Sequence, residues 1–443
     1  MGKSTIEKIP FKFSYSLFKF EENYNYILKY KEVDAKGRYL YWDQFKYRID
    51  KGDNAKIAWW ATKLARVLKM KFLEYKDKNN QVFSFCIPNI LQAKLYKISN
   101  FSSTGIVPDK DIRNRYLISS LVMEEAISSA QLEGASTTRR VAKEMLSTGR
   151  KPKNEDELMI LNNYFLMQEV KYTKNEELTI GLILEYHKIA TREDNTNGNV
   201  AGEFRKNNEI FIADSYDVVV HEPPCHKEIE ERLINICEFA NKEHSGEDGS
   251  IFIHPIVKAI ILHFMIGYEH PFSDGNGRTA RAIFYWYMLK NGFDFIEYVA
   301  ISKFLKQAPT KYGKSFLYSE TDENDLTYFI FYQVDIIIRA IDELLNYLEE
   351  KSREFEEVTE LLSNSKIGNN LNFIQKDIVK KAIKNPGRIF TSKEIVSDYD
   401  KTANTARKYL NELVEYKILA IIKNGNTKDY IAPANIRDIF AYN

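Results

Sequence analysis

Residues 270–281 read HPFSDGNGRTAR, and they bring a proton acceptor, a carboxylate, a glycine-rich turn and two guanidinium groups into twelve consecutive positions. A neutral imidazole at His270 can take a proton from an attacking hydroxyl. Asp274 is a hard oxygen ligand, the kind Mg²⁺ takes when it is shared between a protein and a nucleotide. Gly275, Asn276 and Gly277 let the backbone come close to an anion. Arg278 and Arg281 lie three apart, so on a helix they point the same way and can share one polyphosphate. Other chemistries fit less well. A calcium loop would need the further carboxylates of an Asp-x-Asp-x-Asp-Gly arrangement. A zinc site from His254, His263 and His270 would have spacings of nine and seven, with no i,i+4 pair. His254 and His263 therefore read as packing or helix-end residues. A plain turn is the ordinary reading of a lone Gly-Asn-Gly, but it leaves the rest of the pattern unexplained.

Helices must hold this loop. Pro255 opens a strongly apolar helix through Tyr268, and a second spans about 279–291 and stops at Gly292. The glycines thus fall at a helix start, where free N–H groups and the positive dipole end favour an anion. Upstream, helical spacing runs from Trp42 to Tyr75 with a break near Lys51 and Gly52, and a long helix is expected over 112–132, ending at Gly134. Helical patterns recur at 155–171, 178–191 and 226–242, and a long helix is expected over 326–362. Between them, 209–213 and 217–220 are β-prone runs around a polar turn, a hairpin signal closed by Pro223 and Pro224. A polar linker covers 363–370. Beyond it, helices over 375–384, 391–397 and 402–416 precede β-prone runs at 419–423 and 429–432, which is the pattern of a winged helix. The fold expected is mainly α, in three parts: an N-terminal helical region 1–108, a catalytic region 109–362 and a winged helix-turn-helix 371–443.

The chain has 443 residues, with 63 Lys and Arg against 62 Asp and Glu. Near-zero net charge argues against a general nucleic-acid or membrane binder. The exception is 366–443, where 14 basic residues face 8 acidic ones. Three scattered cysteines, Cys86, Cys225 and Cys237, read as reduced thiols, and no apolar run is long enough for a signal peptide or a bilayer span. A cytoplasmic protein is the expectation.

HPFSDGNGRTAR resembles the Fic family motif, His-x-Phe-x-(Asp/Glu)-Gly-Asn-Gly-Arg-x-x-Arg, at every specified position. Residues 201–205, AGEFR, look like the family's lead-in to a hairpin flap, and the likeness covers about 110–320. It implies a helical bundle with a small β-hairpin flap that transfers AMP from ATP to a Ser, Thr or Tyr hydroxyl of a protein target or of itself. In that reading His270 is the general base and Phe272 a core anchor. Asp274 holds Mg²⁺, Gly275 to Gly277 cradle the α- and β-phosphates, and Arg278 and Arg281 grip the β- and γ-phosphates. Residues 129–134, SAQLEG, are similar to the family's inhibitory pattern (Ser/Thr)-x-x-x-Glu-(Gly/Asn). Glu133 would then pair bidentately with Arg281, Ser129 would hold the glutamate, and Gly134 would end the helix. Removal of AMP by the same site is a further activity the family allows. Glu209, Ile210, Phe211 and Ile212 of the flap are candidates for docking a target strand, and Tyr312 for a place beside the adenine. The resemblance is compatible with a homo-oligomer. The rival reading is a DNA-binding regulator, with Lys401, Arg407 and Lys408 on phosphates; the winged helix could equally bind protein.

Overall fold

The computed structural model describes residues 6–103, 123–193, 200–213, 218–247, 249–363, 365, 367–424, 427–433 and 436. They group into two compact units. One lies within 1–107, 124–137 and 152–340, the other within 138–151 and 341–443.

The first unit opens with helices α1 (Tyr24–Lys29), α2 (Trp42–Phe45) and α3 (Ala55–Val67). Asn54 caps α3 by accepting from the Lys56 and Ile57 amides. The helix pattern expected up to Tyr75 ends early. Residues Lys71–Lys76 form strand β1, paired antiparallel with β2 (Val82–Phe85). Leu73 and Tyr75 point inward while their neighbours are exposed, so the period is two rather than 3.6. Asp77 closes the turn by accepting from the Asn79 and Gln81 amides, both at 2.8 Å. Helix α4 (Asn89–Ser103) follows, and residues 123–132 form α5. Most of the helix expected over 112–132 lies outside the described residues.

Helix α6 (Arg139–Thr148) belongs to the second unit. Back in the first, Asn154 caps α7 (Glu155–Tyr172) and Thr179 caps α8 (Ile180–Ala190). The hairpin is shorter than the sequence suggested: β3 is Ile212–Ala213 and β4 is Val219–His221, with 214–217 outside the described residues. Helices α9 (Ile229–Asn241), α10 (Pro255–Glu269) and α11 (Asn276–Lys290) come next. α10 is apolar on nearly all sides, and both it and α11, whose first two turns carry the polar Asn276, Arg278, Thr279 and Arg281, are almost wholly buried. They lie side by side, with α7 and α8 against α11. Helices α12 (Ile301–Gln307) and α13 (Pro309–Thr321) follow, and α14 (Thr327–Ser363) begins in this unit and continues past residue 340 into the second. A buried network ties α3 to the α13–α14 turn. Lys63 pairs with Asp322 at 2.9 Å, and Arg66 donates to the Tyr328 hydroxyl at 2.7 Å and the Leu40 carbonyl at 2.9 Å. Buried charges persist only when paired this way.

In the second unit, α15 (Phe373–Lys384) starts with a capping box between Asn372 and Gln375. Strand β5 (Ile389–Phe390), α16 (Ser392–Tyr399), α17 (Ala403–Glu415) and strands β6 (Ala420–Asn424) and β7 (Thr427–Ile431) follow. The sheet order is β5-β7-β6, all antiparallel. Strand β5 has no sequence signal beyond two apolar residues. Ile378, Phe390, Ile395, Leu410 and Tyr430 meet in the core of this unit, and the Ser397 hydroxyl of α16 donates to the Ser147 carbonyl of α6 at 3.4 Å.

Candidate active site

The loop 270–275 joins the end of α10 to the start of α11. His270 closes α10 in the left-handed region (φ 45°), while its amide still donates to the Ile266 carbonyl at 3.1 Å. Such a φ is uncommon for a residue with a Cβ and must be held by its surroundings. His270 Nδ1 lies 3.3 Å from the Gly267 carbonyl. A carbonyl only accepts, so Nδ1 carries the proton and Nε2 keeps its lone pair. Burial pushes the imidazole down to about 4, reinforced by His221 and Arg205 and opposed by the Gly267 carbonyl and Glu133. At neutral pH the ring is an uncharged base.

Residues far away in sequence pin this histidine. Arg205 donates from Nε to the His270 carbonyl at 2.9 Å and from its amide to the Pro271 carbonyl at 2.9 Å. Its other nitrogens reach the Pro224 carbonyl and, at 2.8 Å, the Asn207 carbonyl, so the same side chain braces the foot of the flap. Glu269, fully buried, is gripped by Arg232 at 2.7 and 2.8 Å and accepts from the Tyr75 hydroxyl. His221 on β4 contacts the Tyr268 carbonyl through Nε2 (2.8 Å) and Glu320 through Nδ1 (2.7 Å). Burial pulls the His221 ring down, but Glu320 outweighs it and the net shift is upward.

Phe272 is buried. The Asn276 amide clamps its backbone, accepting from the Phe272 N–H at 2.9 Å and donating to its carbonyl at 2.8 Å. The Asn276 side chain is thus spent on the loop, and its offer to an anion is the backbone N–H at the first helical position. Phe272 stacks on His187, centroids 3.7 Å apart and rings 1° from parallel. His187 Nδ1 accepts from the Gly202 amide at 3.0 Å, so its Nε2 donates to the Asp274 carbonyl at 3.0 Å. Gly275 has φ 77° and no side chain to cap α11; a Cβ there would lie 2.6 Å from Thr191 Cγ2. Only glycine fits, and the helix start is left without a cap from its own N-cap residue.

Arg278 pairs with Asp274 at 2.6 Å and donates to the Ala190 carbonyl at 2.7 Å, which leaves Asp274 about one-third exposed (32%). Arg281 is buried. Its Nε and Nη2 donate to the Ser129 hydroxyl at 3.0 and 2.8 Å, and Nη2 also reaches Glu133 Oε1 at 2.8 Å. The geometry differs from expectation in two ways. Ser129 grips the arginine rather than the glutamate, and the Glu133–Arg281 pair has a single contact instead of a bidentate fork. The reason is position: Ser129 sits inside α5 beside the guanidinium, while Glu133 lies just past its last turn, before Gly134 (φ 110°). Burial raises the Glu133 carboxyl, but Arg281, Arg278 and His270 together hold it below the usual carboxylate range. A Cβ on Gly277 would run into Glu133 Oε1. The carboxylate therefore rests against the backbone of the first turn of α11.

Tyr312 donates or accepts at 2.8 Å with His263 Nε2 and packs on Phe316. Burial pushes the phenol up, with Arg281 pulling it down. It stands beside the arginine and the glutamate. His263 is buried, pushed down to about 3 by burial and Arg281. With His263 on Tyr312, and His254 capping α10, no convergence of the three histidines occurs. Among the described residues no group of three or more His, Cys, Asp or Glu could hold a metal ion alone. On the flap, Glu209, Phe211 and Ile212 are exposed and Ile210 is half-buried.

The Fic/DOC family model matches residues 177–288, from α8 through the flap to α11. The chain carries a Fic domain. Ser129 and Glu133 lie outside the matched stretch of that domain. The chain is 32% identical over 120 residues to the protein adenylyltransferase Fic of Nematostella vectensis, covering 27% of this chain and 25% of that one. With the protein of the same name from Drosophila virilis it shares 25% over 171 residues, 37% of this chain and 32% of that one. It thus spans about a quarter to a third of the length of these curated relatives. The fold is similar to the crystal structure of a Fic family protein from Desulfovibrio desulfuricans G20, with a TM-score of 0.50 and 16% identity over 78% of this chain and 95% of that one. No helix among the described residues is long and apolar enough to cross a membrane.

Proposed function

We propose that the chain is a protein adenylyltransferase that moves AMP from ATP to a Ser, Thr or Tyr hydroxyl of a protein, and that Glu133 restrains it. One observation carries this reading. The uncapped, glycine-lined start of α11 is covered by the Glu133 carboxylate, resting on Gly277 and held by Arg281. A helix start of this kind takes phosphate as readily as carboxylate. Glu133 thus occupies the place where the polyphosphate of ATP would lie, and it holds the arginine that would grip it.

The chemistry follows from the residues in place. The target hydroxyl gives its proton to His270 Nε2 as its oxygen bonds to the α-phosphorus. The bond from that phosphorus to the bridging oxygen breaks, and pyrophosphate leaves with the electron pair. Arg281, once free of Glu133, and the N–H groups of α11 neutralise the charge on the leaving group. Arg205, Glu269 and His221 keep His270 in place during the transfer. Asp274 suits Mg²⁺: it is one partly exposed carboxylate beside the phosphate place, and an ion shared with a nucleotide takes few protein ligands. Bound there with the triphosphate, the ion would supply charge neutralisation and alignment.

Purified protein with a Glu133→Gly substitution, given ATP labelled in the α-phosphate, should label itself or a lysate protein. In that background Asp274→Ala should need far more Mg²⁺ for half-maximal labelling, since it removes the carboxylate and loosens Arg278. An unchanged magnesium titration would count against Asp274 as the ligand.

The pH profile tests the base. His270 must be unprotonated to act, and burial places it at about 4. The Glu133→Gly labelling rate should be flat from about pH 5.5 to 8 and fall only below about pH 4, because Glu133, which pulls the His270 value up, is gone. A limb near the ordinary histidine value of about 6.5 would mean that the ring is not buried in the working state.

For residues 371–443 we keep the winged-helix reading, supported by the order of helices and strands and by the basic excess. Arg407 and Lys408 are exposed on α17. A salt-dependent gel shift by the full chain would favour a DNA partner over a protein one.

A further inference from the structure

Helix α5 carries a third polar residue on the stripe of Ser129 and Glu133. Glu125 and Ser129 are four residues apart on α5, so they share one face, and Glu133 follows four residues later, just past the last turn. Glu125 is only 3% exposed. Its Oε2 accepts from the Ser302 amide at 3.0 Å and its Oε1 from the Ser302 hydroxyl. Ser302 is the second residue of α12, whose N-cap residue, Ala300, has no side chain that can cap. The orphan amides at that end are met from other helices. Tyr285 of α11 accepts from the Ile301 amide at 3.3 Å and donates to the Val299 carbonyl at 2.7 Å, and Glu125 takes the next amide. Burial pushes the Glu125 carboxyl up to about 7, while Ser302 and the nearby Arg281 pull it back. Against the downward pull of burial, both Glu133 and Glu125 raise the Arg281 guanidinium through their charge.

We propose that Glu125 is the positioning residue of the brake: through its bonds to Ser302 it fixes the placement of α5 that sets Ser129 and Glu133 on Arg281. The inference rests on the adenylyltransferase reading above. Two hydrogen bonds from Ser302 at the start of α12 hold the helix one turn from Ser129 and two from Glu133. Without them α5 is free to shift, and a shift of about an ångström is enough to break a 2.8 Å contact at Arg281. Glu125 touches no reacting atom and acts only through its helix.

The test is self-labelling of the full chain with α-phosphate-labelled ATP and Mg²⁺. Wild type is compared with Glu125→Ala, Glu125→Gln, Ser302→Ala and Glu133→Gly, and with Glu125→Ala and Ser302→Ala each placed in the Glu133→Gly background. Glu125→Ala should raise labelling at least about tenfold, the scale of leaving a buried amide and hydroxyl without their acceptor. Ser302→Ala should act in the same direction, and Glu125→Gln, which keeps an acceptor oxygen for Ser302, should stay close to wild type. In the Glu133→Gly background neither alanine should add anything, because there is no brake left to release. A merely structural role would not produce that non-additivity. If Glu125→Ala fails to fold, Ser302→Ala, alone and in the Glu133→Gly background, decides the matter. The proposal is overturned if Glu133→Gly labels strongly while Glu125→Ala and Ser302→Ala stay at the wild-type level. It is also overturned if either alanine lowers the rate of a folded Glu133→Gly protein. If Glu133→Gly itself gives no label, the adenylyltransferase reading has failed, and this inference falls with it.

Discussion

Substitution of His270 by Ala should reduce AMP transfer by about 10²- to 10⁴-fold while ATP still binds. The basis is the state of the ring. Its Nδ1 is directed at the Gly267 carbonyl, and burial keeps it uncharged at neutral pH. Nε2 is therefore a ready proton acceptor. Nothing else in the loop can take that part: Asp274 is paired with Arg278, and the Asn276 amide is locked on Phe272. ATP binding should survive because the arginines and the start of α11 are untouched. The measurement is label incorporation by Glu133→Gly and by Glu133→Gly/His270→Ala, with nucleotide affinity determined in parallel. Equal labelling rates would remove His270 from the base role. Loss of ATP binding together with labelling would mean that the left-handed turn at His270, rather than its imidazole, was the feature lost.

Glu133→Gly is the second large effect, and it runs the other way. In the wild type Glu133 does two things at once: it bonds Arg281 at 2.8 Å and puts a negative charge against Gly277. Both oppose a triphosphate. Removing the carboxylate frees the guanidinium and clears the backbone of α11. Labelling should rise by about tenfold or more, from the lost bond to a charged group and the lost repulsion. Arg281→Ala should not mimic this, because it removes the phosphate grip together with the brake, and Glu133→Gly/Arg281→Ala should fall well below Glu133→Gly. Gly277→Ala separates the two parts in another way. Its methyl would displace the Glu133 carboxylate but would stand where the phosphate must approach, so it should not activate. If Glu133→Gly is no more active than wild type on itself and on a lysate, Glu133 is not the brake.

The loop chemistry was readable in the sequence because it is local. His270, Asp274, the glycines and both arginines sit within twelve consecutive positions, and their spacing carries the geometry. The shell around them was not readable. Arg205 and His187 reach the loop, and His221, Arg232 and Tyr75 the end of α10 just before it, from separate elements that no spacing relates to it. The stretch AGEFR at 201–205 pointed to Arg205 as part of the flap's lead-in, but not to its bond to the His270 carbonyl. The β1–β2 hairpin was hidden because the helical spacing of apolar residues runs on to Leu68, the C-cap of α3, just before the strand, and only the alternation at Leu73 and Tyr75 marks the change of period. Ser129 could be seen as a partner on the inhibitory stripe, yet whether it holds the acid or the arginine depends on where α5 ends, which spacing alone does not decide.

AMP transfer itself is tested by asking which phosphorus of ATP stays on protein. Glu133→Gly is incubated with Mg²⁺ and ATP labelled in the α-phosphate, and in parallel with ATP labelled in the γ-phosphate. Protein should retain the α-label and none of the γ-label, and intact mass should rise by one adenylyl group per modified site. Retention of the γ-label, or of no label from either position, would mean that the site does not transfer AMP.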